Sequence, residues 1–352
     1  MKRTQIQFDL PNGNYILDIQ GPKKGLKKLW NRSFEAESAP FVYENVLYIC
    51  EDYSFHAIDP ETGQDIWKFE TPGRATIPVF YEDILIFGGY YLDSHVYALN
   101  KNSGKEIWKY KAGPSTAPVK KTPVINNDSL YVSAGKTIHC LSILTGKKQW
   151  TFDLKKKTGN TNMVTVSGNI YAVTQDAIGK EELQCINSQS KELLWKIKTP
   201  NLWSNLICAE GYLFYLNTEA ELCEVNMNTG ETIKSKIKNF SNRITNGALT
   251  YSNGILNIVA GNYILGLNIT TNPWSWQWNF KTKADIGRPV ITDSGIYFAT
   301  MGDGIYALDL NTGKQLFHKN SEVRSGLVCG ISDSQIFVAG SMSEKELIAY
   351  GD

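Results

Sequence analysis

The sequence predicts an all-β chain: an eight-bladed β-propeller of four-stranded antiparallel blades, the last blade closed by an N-terminal strand. Three observations predict it. One phrase recurs at a spacing of about 42 residues, two short β-rich runs precede each copy, and the last unit lacks a strand that the N-terminus can supply.

Taken in chain order, KKLWNRSFE (27–35) is the spare strand, with Trp30 at its centre. The phrase then runs AIDPETGQDIWKF (57–69), ALNKNSGKEIWKY (98–110), CLSILTGKKQWTF (140–152), CINSQSKELLWKI (185–197) and EVNMNTGETIKSK (224–236). GLNITTNPWSWQWNF (266–280), with a two-residue insertion, and ALDLNTGKQLFHK (307–319) complete the series. The anchor position holds Trp67, Trp108, Trp150, Trp195, Lys234, Trp278 and Phe317. Upstream lie runs rich in β-branched and aromatic residues, such as APFVYENVLYIC (39–50), TPVINNDSLYVSAG (122–135) and RPVITDSGIYFATM (288–301), each broken by a turn. Each unit therefore reads as strands A and B, a loop, strand C, a tight turn and strand D with its anchor. Gly63, Gly104, Gly146, Gly230 and Gly313 stand four residues before their anchors, where the C–D hairpin demands a positive φ. Blade 4 has Ser190-Lys191 there, which predicts a looser turn. After the seventh unit, Gly326–Ile331, Ile336–Ala339 and Leu347–Tyr350 supply three strands, and 27–35 is the fourth. The organisation expected is an N-terminal extension over 1–26, with a hairpin around Pro11-Asn12-Gly13-Asn14, and one propeller over 27–352.

Composition narrows the function classes. Lys and Arg number 36 against 35 Asp and Glu, a net charge of +1, which argues against a generic nucleic-acid binder. Apolar runs fall short of the roughly 20 residues of a membrane span, and no signal-like core follows Lys2-Arg3. The six cysteines form no CxxC and no adjacent pair, so the expected address is the cytoplasm.

The phrases ALDLNTGKQLF, AIDPETGQDIWKF and ALNKNSGKEIWKY resemble the PQQ-like (quinoprotein-type) repeat, whose pattern is AxDxxTGxxxWxF. That resemblance covers some 320 of the 352 residues and implies the eight-bladed propeller. It also implies three broad uses. The quinone dehydrogenases carry a vicinal Cys-Cys disulfide and bind calcium through acidic and amide side chains; here no two cysteines are adjacent. The outer-membrane assembly lipoproteins carry a lipidated N-terminal cysteine; here the first is Cys50, inside blade 1. The third use, a cytosolic binding platform of bacterial type, remains, and no cofactor is expected.

The recurring tryptophans read as inter-blade anchors, each burying up to about 150–250 Å², or about 4–6 kcal/mol as an upper bound. Trp274, Trp276, Trp278 and Phe280 alternate, placing four aromatics on one strand face, more than the repeat needs. His56 and His139 share one strand C position in different blades, too widely separated for a metal site or a catalytic pairing, and Cys140 and Cys185 stand where other blades have alanine and read as small buried residues. No Ser-His-Asp, GxSxG, GxGxxG or Walker signature stands out.

One constellation points to function. Arg74, Lys120, Lys121, Arg243, Arg288 and Arg324 stand just ahead of the A strands, on the face shared with the B–C loops. Symmetry would gather them at the mouth of a central channel. Glu51, Asp52, Asp93, Asp176, Glu219 and Asp303 lie in the B–C loops and would make the face mixed in charge. Tyr90 and Tyr91, in the long blade 2 loop, and Trp203 are the aromatic candidates. The expectation is a non-catalytic protein-binding propeller, a scaffold or an inhibitor or immunity-type protein neutralising a toxin or enzyme. It would use Arg74, Tyr90, Tyr91, Lys121, Trp203, Arg243, Arg288 and Arg324, with no metal site. The alternative is an enzyme or sensor for a sugar or anionic small ligand.

Overall fold

The computed structural model describes residues 17, 19–22, 26–159, 161–199, 202–237, 247–324, 329–340 and 344–351. Arg243 and the expected hairpin around Asn12 lie outside them. Every regular element among the described residues is a strand, and no helix is long and apolar enough to cross a membrane. Eight antiparallel sheets follow one another along the chain, which is the eight-bladed propeller that the repeat predicts.

The chain divides into two compact units. The unit containing Pro72–Arg243 holds blades 2 to 5, whose outer D strands are Glu106–Lys111, Lys148–Asp153, Leu193–Thr199 and Thr232–Lys236. The unit of Tyr15–Thr71 with Ile244–Asp352 holds blades 1, 6, 7 and 8, with outer strands Asp65–Glu70, Ser275–Lys281, Gln315–Lys319 and Lys27–Ser33. In blade 8 the strand Lys27–Ser33 pairs antiparallel with Glu346–Gly351, so the N-terminal strand completes the last blade. Its strand A is shorter than the sequence suggests, Gly330–Ile331, with 325–328 outside the described residues.

One cross-strand row explains the repeat. Strand B supplies a large residue, strand C a small one, and strand D the anchor: Tyr48–Ala57–Trp67, Tyr131–Cys140–Trp150, Tyr171–Cys185–Trp195, Tyr297–Ala307–Phe317 and Phe337–Ala349–Trp30. The small middle residue lets the flanking rings meet above it, with centroids 5.9–6.1 Å apart in these five blades. Blade 2 substitutes Ile86, blade 5 has Lys234 as its anchor, and blade 6 has Asn257 and Gly266.

The anchors also reach the next blade. Trp30, Trp108 and Trp195 donate their indole N–H to the carbonyls of Pro60, Ile143 and Met227, at 2.8, 2.8 and 3.0 Å. Their rings lie against Gly63, Gly146 and Gly230, three residues further on. The turn glycine therefore meets both a positive φ and a ring.

A β-bulge precedes the anchor in seven of the eight outer strands. Blade 5, with Lys234, has none and its strand Thr232–Lys236 is exposed throughout. The bulge corrects the reading of Trp274–Phe280: the register shifts between Trp276 and Trp278, so the alternation breaks. Trp278 is buried while Trp276 is 37% exposed. The expected looser turn of blade 4 is also corrected. Lys191 adopts φ +62 and its N–H bonds Asn187 O at 2.9 Å, the same closure that Gly146 and Gly313 make.

Candidate functional site

In blade 2, strand B (Ile84–Tyr90) ends in Gly88, Gly89 and Tyr90. A Cβ on Gly88 would run into Val119 and one on Gly89 into the Asp93 carboxylate, so Gly88 lets the segment leading to blade 3 lie on this strand and Gly89 lets Asp93 tuck beneath the turn. Val119 N–H bonds Gly89 O at 3.1 Å, and Ala117 N–H bonds Pro114 O at 2.8 Å, shaping that segment into a wall. Opposite it, Tyr91 and Leu92 turn the chain with φ of +58 and +68. Two successive left-handed non-glycine residues cost about 1–2 kcal/mol each. The turn nevertheless holds Tyr91 55% and Leu92 66% exposed.

Between these walls lies a cleft of about 630 Å³ lined by Tyr90, Tyr91, Leu92, Ser115, Thr116, Pro118, Lys120 and Lys121. Its lining contains two cations, Lys120 and Lys121, and three hydroxyl-bearing residue types. Arg74 pairs with Tyr90 across the sheet, and its guanidinium carbon stands 5.4 Å from the Tyr91 ring centroid. Asp93 is the base of the turn: buried, it accepts from His95 N–H at 3.0 Å, His95 Nδ1 at 2.7 Å and Tyr97 O–H at 2.8 Å. Burial first, and then that carboxylate, push the Tyr97 hydroxyl well above its ordinary range, so it remains a donor.

Four of the sequence-derived residues, Arg74, Tyr90, Tyr91 and Lys121, thus come together with Lys120. Tyr90 differs from expectation in closing strand B rather than lying in the loop. Trp203, 43% exposed, stands on the segment leading into blade 5, where its N–H bonds Leu216 O. Arg288 and Arg324 belong to the other unit; Arg288 is half-buried and Arg324 exposed, its backbone N–H bonded to Glu344. The acidic half of the expected mixed face is largely used internally. Asp93 is buried, and Asp176 takes the N–H groups of Ile178 and Lys180. Asp303 accepts the Tyr306 O–H and the Lys283 N–H. Burial would lift the Asp303 carboxyl, but these hydrogen bonds outweigh it and hold it below the usual range.

Sequence reasoning missed a line of bonds in blade 1. His56 Nδ1 stands 3.1 Å from Asp65 Oδ1, and Ser54 Oγ is 2.8 Å from Nε2. With Nδ1–H donating to Asp65, Ser54 donates to Nε2. Ser54 and His56 are 4% and 2% exposed, which closes the hydroxyl to a substrate. Arg32 of the closing strand also binds Asp65, at 2.9 Å, so the line braces blade 8 against blade 1. The visible signal was Ser54 and His56 two apart on one strand; Asp65 comes from the next strand and carries no local mark. Glu181, also missed, is buried in blade 4 and accepts Leu202 N–H at 2.7 Å. Burial raises its carboxyl pKa.

Among the described residues no group of three or more His, Cys, Asp or Glu side chains could hold a metal ion, and the cysteines are free.

The family described as outer membrane protein assembly factor BamB matches residues 24–138 and 134–234, well over half of the chain. The chain belongs to that family. Among curated relatives, the tetrathionate hydrolase of Acidithiobacillus ferrooxidans is 24% identical over 86% of this chain and 69% of its own length. The quinoprotein alcohol dehydrogenase PedH of Pseudomonas putida is 23% identical over 62% of this chain, which spans only 32% of that protein. Among solved structures, BamB from Moraxella catarrhalis superposes with a TM-score of 0.67 at 12% identity, covering 94% of this chain and 98% of that one. Quinohemoprotein alcohol dehydrogenase from Comamonas testosteroni gives 0.74 at 12%, covering 99% and 81%. Those two likenesses carry the fold alone. The relatives overturn the expectation that the chain is no enzyme: a hydrolase and a dehydrogenase share its sequence pattern, and a missing motif does not separate it from them.

Proposed function

We propose that this propeller binds a partner protein through the blade 2–3 cleft, and that the segment it takes is acidic and carries an apolar or aromatic side chain. The observation that carries the reading is the lining itself. Lys120 and Lys121 line one cleft with Tyr90, Tyr91, Leu92 and Pro118, two cations beside two phenol rings and an apolar edge. Tyrosine supplies large contact area at low conformational cost, and it is enriched where interface energy concentrates. Membership in a family described by an assembly factor supports a protein partner. A bound segment would be drawn in by the lysines and seated by the rings.

A second reading uses the same cleft for a small anion, and the hydrolase relative favours it. Two titrations separate them. Followed by tyrosine fluorescence, an acidic peptide containing Phe or Leu should bind at least about tenfold more tightly than inorganic sulfate or a sugar phosphate. Equal affinity for peptide and free anion supports the second reading; no binding of either rejects the cleft.

A further inference from the structure

Blade 6 breaks the cross-strand row that the other blades keep. Where they place Tyr, Phe or Ile on strand B, blade 6 has Asn257; beside it, in register, stand Thr250 on strand A and Gly266 on strand C, followed by Trp278. Asn257 and Thr250 are 0% exposed and Trp278 is 8% exposed. Thr250 Oγ1, Asn257 Oδ1, Asn257 Nδ2 and Trp278 Nε1 are all buried, and no protein group satisfies any of them. By strand alternation they share the face of Ala248, Val259 and Ile264, which packs with Ile291, Ile296, Phe298 and Leu308 of blade 7.

Gly266 explains the unsatisfied indole. A Cβ there would stand 2.4 Å from Trp278 Nε1 and Cε2, so the ring has settled into the space that alanine or cysteine fills elsewhere. Its turn contact with Gly313 is kept. Yet it does not bond the next blade, as Trp30, Trp108 and Trp195 do. The row has thus exchanged a large side chain for a small amide and holds four buried polar atoms that no protein group bonds.

Four buried polar atoms from three neighbouring positions are costly unless each finds a partner. We infer that Thr250, Asn257 and Trp278 form a binding site for one or two structural water molecules between blades 6 and 7. The threonine and amide offer donors and acceptors, and the indole a donor, which matches the two to four partners of a buried water. An asparagine in place of an aromatic ring frees space on the scale of the ~30 Å³ each water occupies.

The test is a water-selective NOE measurement on the full chain labelled with ¹⁵N-tryptophan, with Trp278 assigned by Trp278→Phe. The indole N–H of Trp278 should show a cross-peak to water with the sign of a long-lived complex. Trp108 and Trp195, bonded to carbonyls, should show none. Asn257→Leu should remove the Trp278 cross-peak while leaving the other indole resonances in place. A wild-type Trp278 without the cross-peak overturns the site, as does a folded Asn257→Leu chain that retains it; should Asn257→Leu not fold, the wild-type spectrum decides.

Discussion

At Gly146 a side chain is refused twice. The backbone φ is +64, and a Cβ would stand 2.5 Å from the Trp108 ring. Gly146→Ala should therefore cost about 2–4 kcal/mol in urea unfolding, summing left-handed strain and overpacking. Lys191 is the converse case, a left-handed residue without glycine's freedom. Lys191→Gly should gain roughly 0.5–1 kcal/mol. Sequence spacing revealed the turn duty of these glycines, because φ preference is local. The ring contact was hidden, because it comes from the neighbouring blade. His139 makes a further prediction at this scale. It is buried, its Nδ1 stands 3.0 Å from the Tyr110 hydroxyl oxygen, and burial pushes its pKa down to about 4. The folded state thus favours the neutral ring more than the unfolded chain does. Its stabilising share is full above about pH 6.5 and is lost as pH falls through about 4, on the order of 2 kcal/mol. Denaturant midpoints between pH 7 and 4 should fall less for His139→Gln than for the wild type.

The closing strand is the element on which blade 8 depends. Beyond its ladder with Glu346–Gly351, Trp30 bonds Pro60 O and Arg32 bonds Gly63 O and Asp65 of blade 1. Deleting residues 1–35 should drop the melting temperature by at least about 10 °C or cause aggregation, since it leaves an edge unpaired. Deleting 1–22 should cost less but not nothing. Leu17 N–H bonds Ile291 O at 2.7 Å, Ile19 O accepts Asp293 N–H at 2.9 Å, and Tyr297 O–H bonds Pro22 O at 2.8 Å. The strand itself was legible from Trp30 and from the count of strands. The bulge before seven of the anchors was not, because a register shift is a property of two strands paired. That is why the alternation of Trp274 to Phe280 misled.

For the whole molecule, the repeat carried the architecture because each blade is one local unit copied eight times. Function was less legible, because the loops that carry it are the parts the repeat does not constrain. The basic residues and tyrosines could be listed from sequence. Which of them meet depends on Gly88 admitting the segment around Val119, on Gly89 making room for the Asp93 carboxylate, and on an unusual turn at Tyr91-Leu92 that has no Asn-Gly signature. The internal use of Asp93, Asp176 and Asp303 was equally hidden, and it changes the expected mixed charge of these loops. The measurement that tests the central claim most directly compares partner-segment binding by Lys120→Glu/Lys121→Glu with that by Lys105→Glu, a change on the blade 2 C–D turn. Calorimetry with the acidic peptide should show at least about a hundredfold loss for the first chain and an unchanged affinity for the second. Both should unfold within a few degrees of the wild-type temperature, since Lys105 and Lys120 are exposed and Lys121 is half-buried, and loop charges at such positions add little to stability. Undiminished binding by the Lys120→Glu/Lys121→Glu chain would contradict the account.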